Sequence, residues 1–193
     1  AAGETKVDIL VTPLVTIGVG ATLAALCAPP LGKLAMQTGT VIMWATELQP
    51  FLMGILVSVF VGIALTLPIS SAAICAALGL TGLAGGAAVA GCSAQMIGFA
   101  VQSYRENGVG GLLSQGLGTS MLQMPNIVRN PRIWIGPIFA SAITGPLATC
   151  VFKLRMDGAA VSSGMGTCGL VGQIGVFTGW ISDMAAGTKA AIT

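Results

Sequence analysis

Over 193 residues this chain is 54% hydrophobic and only 7% charged, with a mean hydropathy of +0.92. Soluble domains carry about 25% charged residues, so a water-facing surface cannot be covered, and the composition points to an all-α integral membrane protein. The net charge of +2 comes from scattered basic residues, which excludes a nucleic-acid footprint, and the absence of His excludes imidazole chemistry.

In chain order, residues 9–32 are free of charge and predict a first membrane helix, with Pro13 near its entry and Pro29–Pro30 near its end. Residues 34–46 are shorter and mixed, and read as a half-helix or amphipathic piece. From Leu48 to Tyr104 fifty-seven residues pass without a charge, enough for two crossings of a layer about 30 Å thick. Within them, residues 51–67 predict a spanning helix that stops at Pro68, and residues 72–80 a short apolar piece. Gly82, Gly86, Ala90, Ala94 and Gly98 then recur every four residues, a small-residue stripe of the kind that lets another helix approach closely in lipid. Gln95 and Gln102, seven apart, share a face of that helix.

The polar group Tyr104–Arg105–Glu106–Asn107 predicts its end at a water interface. Residues 107–128 are uncharged but hold five glycines, two glutamines and Pro125. Irregular backbone at membrane depth persists only when buried in protein or lining a cavity, so residues 110–126 read as re-entrant. Arg129–Asn130–Pro131–Arg132 returns to water, and residues 133–152 predict a twenty-residue span despite Pro137 and Pro146. Residues 158–182, with seven glycines, read as a second broken segment. The expectation is one membrane domain over 1–193, with about four or five transmembrane helices plus re-entrant or broken pieces.

Among so few polar groups, Glu47 stands out, because a carboxylate beside a membrane helix is costly and usually functional. It can accept hydrogen bonds from sugar hydroxyls or carry a proton; the plain alternative is an interfacial glutamate at a helix end beside Pro50. Gln49 shares its turn. A second cluster runs from Gly118 to Asn126 and offers Thr119, Ser120, Gln123 and Asn126, as broken helices in transporters do. Ser70, Ser71 and Gln95 add neutral hydrogen-bonding groups, with Gln102 beside them. Arg129 and Arg132 suit either an anionic partner or a membrane-edge anchor. The five cysteines are widely spaced, so they read as packing residues rather than a disulfide framework or zinc site. No catalytic residue, metal site or cofactor motif is apparent, and a neutral hydroxylated solute fits the polar set better than an ion.

Several motifs resemble a known family. Lys6–Val7–Asp8–Ile9–Leu10–Val11–Thr12–Pro13, Met43–Trp44–Ala45–Thr46–Glu47–Leu48–Gln49–Pro50 and Leu67–Pro68–Ile69–Ser70–Ser71 are similar to segments of bacterial phosphotransferase system EIIC-type permeases. Gly91–Cys92–Ser93–Ala94–Gln95–Met96, residues 118–126 and residues 164–169 fit the same branch, in which some members are labelled perfringolysin O regulator-like. The resemblance covers essentially the whole chain. It implies the C-terminal portion of a longer protein, consistent with the lack of an initiator Met, and a multi-pass place in the bacterial cytoplasmic (inner) membrane. It also implies a sugar permease working with separate IIA and IIB phosphocarrier proteins, with the Thr46–Glu47 pair in the place of a sugar-binding glutamate.

Three functions follow as expectations. The first is an EIIC-like permease, homo-oligomeric through its small-residue faces, with Glu47, Gln49, Gln95, Ser120, Gln123 and Asn126 holding the solute. The second is a membrane sensor or regulator that binds a ligand without moving it. The third is a secondary transporter that moves a proton on Glu47.

Overall fold

The computed structural model describes residues 15–22, 33, 37, 40, 42–44 and 46–192. Of the expected first span, residues 15–22 are helical and the rest lies outside the described residues, as does much of 34–46.

Helix α1 (Pro50–Thr66) starts on a proline, whose missing N–H falls where no helical partner exists. It stops as Leu67 turns extended, the conformation that Pro68 imposes on the residue before it. Helix α2 (Ser71–Leu78) is opened by Ser70, whose Oγ accepts the Ala73 amide at 3.2 Å. Helix α3 (Gly82–Leu113) carries the small-residue stripe and continues as a π-helical turn, Ser114–Gly118. The end expected at residues 104–107 appears as a sharp break at Gly108, which takes φ 58° and ψ −148°. Only glycine occupies that region without strain. Nothing lies within 4 Å of where a Cβ would be, so a substitution there tests backbone conformation alone. Gly108→Ala is expected to cost about 1–2 kcal/mol in a detergent thermal melt. Gly110→Ala, with equal space and no positive φ, is the control and should hold or gain stability.

A 3₁₀ turn (Ser120–Gln123), helix α4 (Met124–Arg129) and a second 3₁₀ turn (Pro131–Trp134) lead to α5 (Ile135–Pro146). The expected span 133–152 is therefore present, in modified form. Pro137 sits in the first turn, where it is tolerated, while Pro146 is followed by a π-helical turn, Leu147–Val151, that shifts the hydrogen-bond register. The second broken segment comprises α6 (Ala160–Ser163), a 3₁₀ turn (Cys168–Leu170) and α7 (Val171–Ile192).

Helices α1, α3 and α5 pack side by side. Gly91 of α3 lies against Ser58 of α1, and Gly62 lies against Gln95, so these two helices run in the same direction. Helix α5 runs against both: Pro137 meets Gly98, Ser141 meets Ser58 and Gly91, and Thr149 meets Pro50. Short polar groups stitch the interior: Ser58 Oγ donates to the Ser141 carbonyl at 2.8 Å, Ser141 Oγ to Pro137 at 2.9 Å, and Thr149 Oγ1 to Pro50 at 2.7 Å. Such bonds suit helices that pack in lipid, where an unbonded polar group has no water to turn to.

Bulky apolar residues face outward, as with Phe60 at 77% exposed and Phe139 at 67%, while alanine, cysteine and serine fill much of the interior. Two helical stretches, Gly82–Gly118 and Pro131–Val151, are long and apolar enough to cross a membrane, and Pro50–Thr66 and Cys168–Ser182 are shorter apolar helices. The molecule is an all-α membrane protein. Gly82, Gly86 and Gly98 meet Met156, Leu154 and Pro137 of the same chain, so much of the face expected to receive a second copy is occupied from within.

Candidate functional site

Two broken segments enter this helical framework from opposite ends. After Gly108 the chain folds back along α3: Gly111 lies against Ser103 and Asn107, and Gly116 against Ala100 and Ile97. It turns at residues 118–120, where Ser120 Oγ pairs with Thr66 Oγ1 at 3.2 Å, and α4 leads it outward again. The other segment starts beside Gly82, which exchanges two backbone hydrogen bonds of 2.9 Å with Met156. It climbs along α3 to Cys92 and Met96, reverses at residues 168–170, and descends as Gln173 bonds Ser93 at 3.0 Å and Gly179 returns to Gly158. The two turns meet near the middle of α3, where Thr167 Oγ1 donates to the Gly116 carbonyl at 2.5 Å.

The first fold-back leaves a polar cavity of about 450 Å³ against the outer third of α3, lined by Ser103, Asn107, Ser114, Gln115, Gln123 and Asn126 among others. Ser103, Gln123 and Asn126 also line an adjoining cleft of about 280 Å³, together with Gln102, Glu106, Arg129 and Asn130. Asn126 Nδ2 donates to Gln123 Oε1 at 2.8 Å, which fixes both amides and leaves Gln123 Nε2 and Asn126 Oδ1 for another partner. Asn107 Nδ2 donates to Ser103 Oγ at 3.0 Å. Gln115 is buried, and no protein group bonds its Oε1. An acceptor left this way costs stability.

Of the residues singled out in the sequence, Gln123 and Asn126 line this site and Ser120 lies behind it, bonded to Thr66. Thr119 caps the 3₁₀ turn by accepting the Met121 amide. Ser70 caps α2, and Ser71 Oγ donates to the Gly164 carbonyl at 2.7 Å, anchoring the second fold-back. Gln95 is fully buried between α3 and α1, with neither end of its amide bonded by a protein group. Glu47 and Gln49 are exposed and precede Pro50, whereas Ser120 sits at the Thr66 end of α1. A helix of 17 residues is about 25 Å long, so the two expected clusters lie at opposite ends of α1 and form no single site. Glu47 instead pairs with Arg155 at 3.8 Å, an exposed contact worth about 0–1 kcal/mol.

Sequence reasoning passed over Ser103, Ser114 and Gln115 as site residues, and took Glu106 and Asn107 only as part of a helix end. Their signal was the polar run Gln102–Ser103–Tyr104–Arg105–Glu106–Asn107 ahead of Gly108, which folds the following segment back onto it.

The model of the family described as "Phosphotransferase system, EIIC" matches residues 1–192. No curated protein and no solved structure gives a match. A match from the first residue to the last but one, on an all-helical apolar scaffold, leaves one assignment: this chain belongs to the phosphotransferase system EIIC family, the membrane permease component of that system.

Proposed function

We propose that the protein carries a sugar or related hydroxylated solute across the bacterial cytoplasmic membrane as a multi-pass permease, coupled to separate IIA and IIB phosphocarriers. In this reading the solute binds in the cavity between α3 and the first fold-back, and both broken segments are re-entrant. The observation that carries it is a cavity walled by hydroxyls and amides between α3 and the fold-back, lined by Ser103, Asn107, Ser114, Gln115, Gln123 and Asn126. Gln123 Nε2 and Asn126 Oδ1, left open by the bond between their other amide atoms, serve the solute hydroxyls. Sites of this kind recur where broken helices expose polar groups within a membrane protein. Glu106 lines the adjoining cleft and is the carboxylate best placed to accept a pair of hydroxyls.

The test is calorimetric binding of a sugar and polyol panel to the purified protein, with Gln123→Ala, Glu106→Gln and Glu47→Gln in parallel. Gln123→Ala and Glu106→Gln are each expected to weaken binding about tenfold, the equivalent of roughly 1.4 kcal/mol, with Glu47→Gln unchanged. Loss of binding in Glu47→Gln alone would move the site to the other end of α1.

A further inference from the structure

The proposed binding region is two bordering spaces rather than one. The cavity of about 450 Å³ lies between α3 and the first fold-back, and the cleft of about 280 Å³ lies between α3 and α4. Ser103, Gln123 and Asn126 border both. Asn107 and Ser114 belong to the cavity alone, whereas Glu106, Arg129 and Ile133 belong to the cleft alone. Pockets of about 300–1,000 Å³ take ligands of drug size, and a single hexose, with about 12 non-hydrogen atoms, is roughly half as large. One ring therefore fills one space and leaves the other to water.

Resting on the site just proposed, we infer that the substrate is a neutral disaccharide, with one ring in the cavity, one in the cleft and its glycosidic oxygen at Gln123. The cavity offers a ring uncharged hydroxyls and amides on several sides. The cleft holds one carboxylate and one guanidinium, so it carries no net charge to favour an ion. There Glu106 accepts hydroxyl hydrogens, Arg129 donates to hydroxyl oxygens, and Ile133 gives an apolar wall for the C–H face of the second ring. The border has the chemistry that a linkage needs. A glycosidic oxygen has lone pairs and no hydrogen, so it calls for a donor. Asn126 Nδ2 donates to Gln123 Oε1 at 2.8 Å, which turns the acceptor end of Gln123 aside and leaves its Nε2 to donate.

The experiment is calorimetric titration of the purified full chain, in a detergent without a sugar headgroup. The ligands are glucose, galactose, mannose and N-acetylglucosamine, the disaccharides maltose, cellobiose, lactose, mannobiose and chitobiose, and the trisaccharide maltotriose. At least one disaccharide is expected to bind about tenfold or more tightly than either of its component sugars. Arg129→Gln, in the cleft, should bring that ratio below about threefold, whereas Asn107→Ala, in the cavity, should weaken both ligands and keep the ratio. Arg132→Gln, outside both linings, should leave the ratio as in wild type. Arg129 and Asn107 are exposed, so the unliganded melting temperatures of their variants should match wild type and exclude a folding defect. If a monosaccharide binds as tightly as every disaccharide that contains it, the inference fails while the sugar site stands. A second tenfold gain on going to the trisaccharide would make the region a groove for longer chains and would also overturn it. If no sugar of any length binds, both readings fall.

Discussion

Gly91→Ala is expected to destabilise the detergent-solubilised protein by about 3 kcal/mol or more, read as a large drop in melting temperature. The reason is backbone geometry. A Cβ at position 91 would collide with the carbonyl and Cα of Ser58, and there is no flexible side-chain end to swing away. The same glycine accepts Ser141 Oγ through its carbonyl at 3.2 Å, so pushing α1 away from α3 also disturbs α5. Helices in lipid hold together through such close approaches, without the hydrophobic drive available in water. A melting temperature within a degree or two of wild type would mean that α1 and α3 do not meet at this level.

Gln95→Met is expected to do the reverse and stabilise the protein by about 2–3 kcal/mol, because both amide atoms are buried with no protein partner. Methionine keeps the length and flexibility of the side chain while removing the polar groups. The Cγ of Gln95 already lies where a Cβ on Gly62 would come within 2.8 Å, so the site is tight and rewards an unbranched replacement. Solute binding at the α3–α4 cavity should be unchanged, since Gln95 lines neither the cavity nor the cleft. A variant that is less stable, or that loses solute binding, would show that the amide is used and would restore Gln95 to the binding set.

The sequence made the helical framework legible because its signals are local. Pro68 ends α1 as expected, the glycine and alanine stripe lies on α3, and the apolar run after Arg132 forms α5. The broken segments were legible too, since glycine-rich uncharged stretches are poor continuous helices. The site itself was only half legible. Gln123 and Asn126 were found from composition, but their partners on α3 are set by the direction in which Gly108 sends the chain, and a lone glycine gives no sign of its φ. Glu47 attracted notice for its rarity, yet rarity carries no position: three residues before Pro50 places it at the far end of α1 from Ser120. Ser71 has the same lesson in another form, since its hydroxyl serves a carbonyl 93 residues away.

The meeting of the two fold-backs at Thr167 and Gly116 also has an electrical consequence. A membrane potential of 100 mV is worth about 2.3 kcal/mol per unit charge, however it is distributed along the path. Along a continuous span that drop is shared over some 30 Å. If, as proposed, both fold-backs are re-entrant and leave water on either side of their contact, nearly all of it falls across that contact. Any charge carried from one side of the tips to the other would then move through most of the voltage in one short step, so a transport step that moves charge there should depend steeply on membrane potential although the displacement is small.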